Sequence, residues 1–280
     1  MPSLPNLLII GAAKAGTTSL HAYLALHPQV FMSRHKELQF FNRDDWRDRV
    51  AWYRDQFPTT LPVRGESSPG YSMHPWFPSV PERASELVPD ARIVYLVRDP
   101  VERLVAQYVE NYALHLEQRS LAEALRDFDS PSNRVVMGSR YAYQVDRWRE
   151  HFPDRRILVL DQRALLHDRG TTLRETFAFL GVDAAFTSAG FDRLHNVGSN
   201  KWRANRLGLW LHARGVLQPA RRVTRRLPER LREPLKGLVA DFVHAPPLDP
   251  GLRSELEAYL HEDAERLRAF TGKPFDHWTV

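Results

Sequence analysis

One stretch near the start carries the residues most suited to chemistry: Gly11-Ala12-Ala13-Lys14-Ala15-Gly16-Thr17-Thr18-Ser19 follows the apolar run 7–10 and leads into a segment with helical patterning. Glycines there permit a tight turn. The backbone N–H groups at the start of the helix then cradle a phosphate-like anion. The spacing also says what the loop does not hold. A Walker-type nucleotide loop places Lys directly after its second glycine and a hydroxyl for magnesium next. Here Gly16 is followed by two threonines and the lysine stands at 14, so ATP with magnesium is not the natural ligand.

Two further groups stand out. Lys36-Glu37 precedes Phe40-Phe41, and taken alone it is a surface ion pair. Arg98-Asp99-Pro100 follows the apolar run 92–97, and taken alone it is a helix start, with Asp99 as cap and Pro100 in the first turn. Lysine is scarce, five against 34 arginines, and three of the five (Lys14, Lys36, Lys201) fall in these groups or in the stretch discussed below.

Taken together, residues 5–205 resemble the sulfotransferases that use 3′-phosphoadenosine 5′-phosphosulfate (PAPS), in the heparan-sulfate-type branch with its bacterial relatives. The resemblance implies that Lys14, Ala15, Gly16, Thr17, Thr18 and Ser19 bind the 5′-phosphosulfate, with the Lys14 charge on the leaving oxygen. It implies that Glu37 is the base that deprotonates the acceptor, with Lys36 beside it. Arg98 would hold the 3′-phosphate with its planar fork. Ala106 stands where the family usually has a serine that adds a hydroxyl donor, so one contact to that phosphate is missing. Gln39 and Asn42 stand where glycan-acting relatives often carry His and Asp. Weaker echoes are Glu66-Ser67-Ser68-Pro69-Gly70-Tyr71, the Gly138 to Trp148 stretch, Phe179-Leu180-Gly181-Val182, and a basic loop at 195–203 from which Lys201 and Arg203 would reach the 3′-phosphate.

These residues need rigid elements behind them. Apolar runs at 7–10, 30–33, 63–66, 92–97 and 156–160, each ended by turn residues, predict buried parallel strands. Helices are expected at 17–26, 46–57, 80–88, 100–117, 120–127, 139–151, 172–180 and 250–270. Strands alternating with helices predict an α/β fold: a P-loop-like parallel sheet flanked by helices, with a basic helical C-terminal segment. We expect one domain over 1–280, with a PAPS-binding core at 1–205 and a helical segment at 206–280. Leu or Val recurs at 223, 227, 231 and 235, but Pro219, Pro228 and Pro234 break that stretch into short helical pieces.

Charge is unevenly placed. The net charge is +5, yet 201–236 alone holds eleven Lys or Arg and two acids, a local +9 that leaves the remainder negative. Such a block attracts phosphate, sulfate, anionic glycan or anionic lipid, or is simply a solvated surface. Only Trp202 and Trp210 interrupt it, which does not suit a single-stranded nucleic-acid platform, and nucleic acid is not an expected partner.

Composition removes several classes. With 43% hydrophobic and 26% charged residues the chain is globular, and with no cysteine it has no disulfide, no Cys-bound metal and no thiol nucleophile. No run approaches a membrane span, so the expected location is the cytoplasm, with the basic block at a membrane surface. His261-Glu262-Asp263 reads as a helical surface run rather than a ligand set, and no metal is expected. No Gly-x-Ser-x-Gly elbow points to a serine hydrolase. The resulting expectation is sulfuryl transfer from PAPS to a hydroxyl or amine of a glycan, glycolipid or natural product, the acceptor being anionic or membrane-associated. The alternatives are a non-catalytic binder of anionic glycan or lipid and a P-loop nucleotide kinase. A binder relying on the basic block would lose affinity steeply with salt.

Overall fold

A computed structural model describes residues 3–193, 201–214 and 237–280. The chain forms two compact units: residues 1–104, 127–196 and 250–280 make the first, and residues 105–126 and 197–249 the second.

In the first unit, five strands build one parallel sheet: β1 (Leu7–Gly11), β2 (Val30–Met32), β3 (Val63–Ser67), β4 (Arg92–Val97) and β5 (Ile157–Asp161), in the order β2-β3-β1-β4-β5. The apolar runs become strands because both sheet faces are covered; Leu7, Leu8, Ile9 and Ile10 are all fully buried. Burial of each such side chain contributes about 1.5–3 kcal/mol. The chain passes from central β1 to edge β2, returns to β3, then crosses to β4 on the other side of β1. Strand order thus reverses at β1, and crevices for ligands form outside the carboxyl ends of strands at such a point.

Helices α1 (Thr17–Leu24), α2 (Val50–Asp55) and α3 (Val80–Leu87) connect the first four strands. Helix α4 (Pro100–Ala113) starts from the end of β4, and the boundary between the units falls within it. The second unit also contains α5 (Leu121–Ala124), closed by a capping box between Ser120 and Glu123. Helices α6 (Arg134–Met137), α7 (Tyr141–Arg149), α8 (Gln162–His167) and α9 (Arg169–Leu180) follow in the first unit. Strand β6 (Lys201–Ala204) and helix α10 (Arg206–Ala213) belong to the second, where β6 pairs antiparallel with β7 (Ala240–Val243). Helix α11 (Pro250–Thr271) returns to the first.

Several expectations shift. Helix α4 stops at Ala113 rather than near 117, because His115 turns left-handed (φ 60°) and Glu117 accepts from the backbone N–H groups of Gln118 and Arg119. The helix expected over 139–151 starts at Tyr141, with α6 as a separate turn before it. Between them lies Gly138, where a Cβ would stand 2.7 Å from the Arg103 guanidinium. The pair β6–β7 was not anticipated at all. The division at 205 is not the division of the compact units, since 250–280 belongs to the first. The repeat at 223, 227, 231 and 235 lies outside the described residues.

Asp263 corrects the reading of His261-Glu262-Asp263 as a surface run. It is 4% exposed and accepts from the N–H groups of Ala142 and Tyr143, both at 2.9 Å. It thereby caps α7 from α11, and burial raises its carboxyl above the usual range.

Candidate active site

The loop between β1 and α1 sits at the carboxyl edge of the sheet, where the strand order reverses. Gly11 is required by a close approach: a Cβ there would meet Ser72 Oγ at 2.1 Å. Gly16 is required by conformation, since it is the N-cap of α1 with φ 96°. A glycine cap has no side chain to accept from the first turn; the Ser19 N–H donates to the Gly16 carbonyl at 3.0 Å, and the N–H groups of Thr17 and Thr18 ahead of it remain for an anion. Lys14 also has a left-handed backbone (φ 70°), a conformation that costs a non-glycine residue free energy and is held by its surroundings. Thr17 and Ser19 are buried beneath the loop, while Lys14, Gly16 and Thr18 are half-exposed.

Arg98, just past β4, reaches this loop. Its Nη1 donates to the carbonyl of Lys14 at 3.4 Å and its Nη2 pairs with Glu102 at 2.5 Å. Its Nε is buried with no hydrogen-bond partner. An arginine with an unmatched buried donor beside an anion loop fits a phosphate-bearing substrate. Asp99 caps α4 as expected, accepting from the N–H of Glu102 at 2.8 Å, and its second oxygen accepts from Thr279.

Arg103 escaped the reading of the sequence. It is fully buried and donates Nε to the carbonyl of Ala13 at 3.1 Å and Nη1 to that of Val135 at 2.6 Å. One side chain thus braces the anion loop from beneath, and burial lowers its pKa. The available signal was an arginine between Val101 and Leu104 on the buried side of α4.

The segment after β2 carries Glu37. Its side chain is 53% exposed, and Lys36 Nζ pairs with its Oε1 at 2.8 Å. The backbone turns left-handed at Glu37 (φ 63°) and again at Gln39 (φ 50°), and the N–H of Glu37 donates to the Ser67 carbonyl at 2.9 Å. An exposed carboxylate on a tightly held turn can accept a proton from a bound molecule. Nearby His21 on α1 is neutral: burial, and then the Lys36 charge, lower its pKa to about 4.

Glu66, at the end of β3, is fully buried. Its Oε1 accepts from the hydroxyls of Tyr53 and of Tyr71 (2.8 Å), and its Oε2 from Ser68 Oγ (2.7 Å). The sequence marked this stretch only as a weak echo. A carboxylate at the end of a strand buried on both faces was the available sign.

The structure thus brings the loop residues 14–19, Glu37 and Arg98 beyond the carboxyl ends of β1, β2 and β4 of one sheet in the first unit. Ala106, Lys201 and Arg203 belong to the second unit. There Lys201 pairs with Glu110, and Arg203 lies 3.8 Å over the Tyr112 ring and donates to Gln118 at 2.8 Å. Ala106 presents no hydroxyl. Among the described residues no group of three or more His, Asp or Glu could hold a metal ion.

The chain is similar to known proteins in sequence and in fold. The sequence pattern of the family described as "Sulfotransferase domain" covers residues 4–205. The bifunctional heparan sulfate N-deacetylase/N-sulfotransferase 3 of Homo sapiens is 32% identical over 199 residues, 64% of this chain. The corresponding protein 1 of Caenorhabditis elegans is 31% identical over 194 residues. The chain spans only 22% of the length of those relatives. A sulfotransferase crystal structure from Alicyclobacillus acidocaldarius shares the fold, with a TM-score of 0.69 at 23% identity, covering 99% of this chain and 100% of that one. A family match running through the anion loop, the Lys36-Glu37 turn and Arg98 means that this chain belongs to the sulfotransferase domain family, transferases that move a sulfuryl group from PAPS.

Proposed function

We propose that the acceptor is an amine or hydroxyl of a saccharide and that Lys14, Glu37 and Arg98 carry the reaction. One observation carries the assignment of residues: the anion loop, the Glu37 turn and Arg98 stand at the carboxyl ends of β1, β2 and β4 in one sheet, with Arg98 bonded to the Lys14 carbonyl. The saccharide class is supported by relatives named for heparan sulfate N-sulfation.

In this reading the loop N–H groups and Lys14 hold the phosphosulfate, and Arg98 takes the 3′-phosphate by exchanging its Glu102 partner. Glu37 accepts the acceptor's proton as the acceptor lone pair forms the new bond to sulfur. The sulfur–oxygen bond to the 5′-phosphate breaks, and its electron pair stays on the phosphate oxygen, where the Lys14 charge stabilises it. Positioning and charge do most of the work, as in phosphoryl transfer. The test is transfer of radiolabelled sulfate from PAPS to N-deacetylated heparosan, which offers both amines and hydroxyls. Labelled product from wild type, and loss of at least a hundredfold in Lys14→Ala and in Glu37→Gln, is expected. Full activity in Glu37→Gln removes the base assignment.

Peripheral attachment to an anionic membrane is part of the same proposal. It is supported by Leu207, Leu209 and Trp210, which are 46–49% exposed beside Arg206 and Arg214. Co-sedimentation with phosphatidylserine vesicles but not with phosphatidylcholine vesicles is expected; equal behaviour with both refutes it.

A further inference from the structure

The Glu37 turn is strained twice within three residues, at Glu37 and at Gln39, and something must hold it. The holding contacts converge on one buried carboxylate. Gln39 N–H donates to Ser68 Oγ at 3.2 Å, and Phe40 and Phe41 N–H donate to the Tyr71 hydroxyl at 3.0 and 3.4 Å. A hydroxyl has one hydrogen. Both Ser68 and Tyr71 spend theirs on Glu66, at 2.7 and 2.8 Å, so each must present a lone pair to the turn. The neighbour of Glu66 in the chain, Ser67, supplies the carbonyl that accepts from Glu37 itself.

We infer that Glu66 is a positioning residue for the reaction: it orients the Ser68 and Tyr71 hydroxyls as acceptors and thereby locks the 36–41 turn that presents Glu37 to the acceptor. The inference rests on the reading of Glu37 as the base. Tyr53 supplies an internal control. Its hydroxyl also donates to Glu66, but no N–H of the turn depends on it, and its ring stacks on Phe40 with centroids 3.8 Å apart. Removing the Tyr53 hydroxyl perturbs the carboxylate without removing an acceptor from the turn. Removing the Tyr71 hydroxyl takes two N–H partners from the turn while keeping the ring.

The experiment compares Tyr71→Phe, Tyr53→Phe and Glu66→Gln in the full chain, alone and with Glu37→Gln, using PAP release from PAPS with N-deacetylated heparosan. Amide hydrogen exchange over 37–41 is measured in parallel and needs no acceptor. Tyr71→Phe and Glu66→Gln should lower kcat about tenfold or more with KM for PAPS unchanged, and should speed exchange at 39–41. Tyr53→Phe should change kcat less than threefold. In the Glu37→Gln background neither Tyr71→Phe nor Glu66→Gln should lower the remaining rate further, because each acts through the base. A general structural role predicts equal losses from the two tyrosine variants and losses that add to Glu37→Gln; either result overturns the inference. Exchange unchanged at 39–41 in both Glu66→Gln and Tyr71→Phe also overturns it. Full activity of Glu37→Gln by itself overturns the base assignment instead, and a wild type that releases no PAP counts against the proposed acceptor and leaves the exchange result to decide.

Discussion

Arg98→Ala is the substitution whose effect can be worked out most fully. In the free protein the guanidinium holds Glu102, whose side chain is 60% exposed, so this i,i+4 pair contributes only about 0.3–0.5 kcal/mol. Its Nε is buried with no partner. A phosphate placed against this fork gains hydrogen bonds to a charged donor, about 1.5–3 kcal/mol for such a bond. Allowing for a forked contact and subtracting the lost Glu102 pair leaves about 2–3 kcal/mol, or about 30- to 150-fold in Kd. Calorimetric titration of adenosine 3′,5′-bisphosphate into wild type and Arg98→Ala, at one fixed salt concentration, measures this directly. Glu102→Gln is the companion variant. It frees the guanidinium in advance, so affinity should rise about twofold. Binding by Arg98→Ala within threefold of wild type would refute the assignment of Arg98, and weaker binding by Glu102→Gln would refute the exchange of partners.

Other outcomes follow from the packing. Asp263→Ala removes the acceptor of two N–H groups at the start of α7 and should cost about 2–4 kcal/mol in urea unfolding, with Asp263→Asn recovering part; no change in midpoint contradicts the capping role. Gly138→Ala places a methyl 2.7 Å from the terminal nitrogens of a fully buried arginine, so a loss of about 1–3 kcal/mol is expected in thermal unfolding. His21 has a folded pKa of about 4 against an ordinary 6.5, so below 6.5 the unfolded chain takes a proton that the folded chain refuses. The stability it allows is full above pH 6.5 and falls as pH drops toward about 4, by up to about 3 kcal/mol. Stability curves of wild type and His21→Asn should converge across that window, and parallel curves would contradict it.

Much of the site could be read along the chain because it depends on local rules. Gly11 and Gly16 mark a turn needing a close approach and a left-handed cap, and the following helix supplies the N–H groups wherever it lies. Asp99-Pro100 opens α4 through its own first-turn geometry. The strands are apolar runs that any covered parallel sheet would bury. Helix ends were less legible: α4 stops early because Glu117 captures two backbone N–H groups just after it, a competition that hydrophobic periodicity does not register.

The tertiary structure alone decided which distant groups meet. The reversal of strand order at β1 brings residues 84 positions apart, Arg98 and Lys14, into hydrogen-bond contact. It also turns Asp263 from an apparent surface acid into the cap of α7, 121 positions away from Ala142. Glu66 gathers Tyr53, Ser68 and Tyr71 only because α2 and the turn after β3 converge on its strand. Local pattern encodes which backbone conformation a segment prefers and which of its faces is apolar. A buried polar group must instead find its partners wherever the sheet order places them, and that order is a property of the whole packed chain.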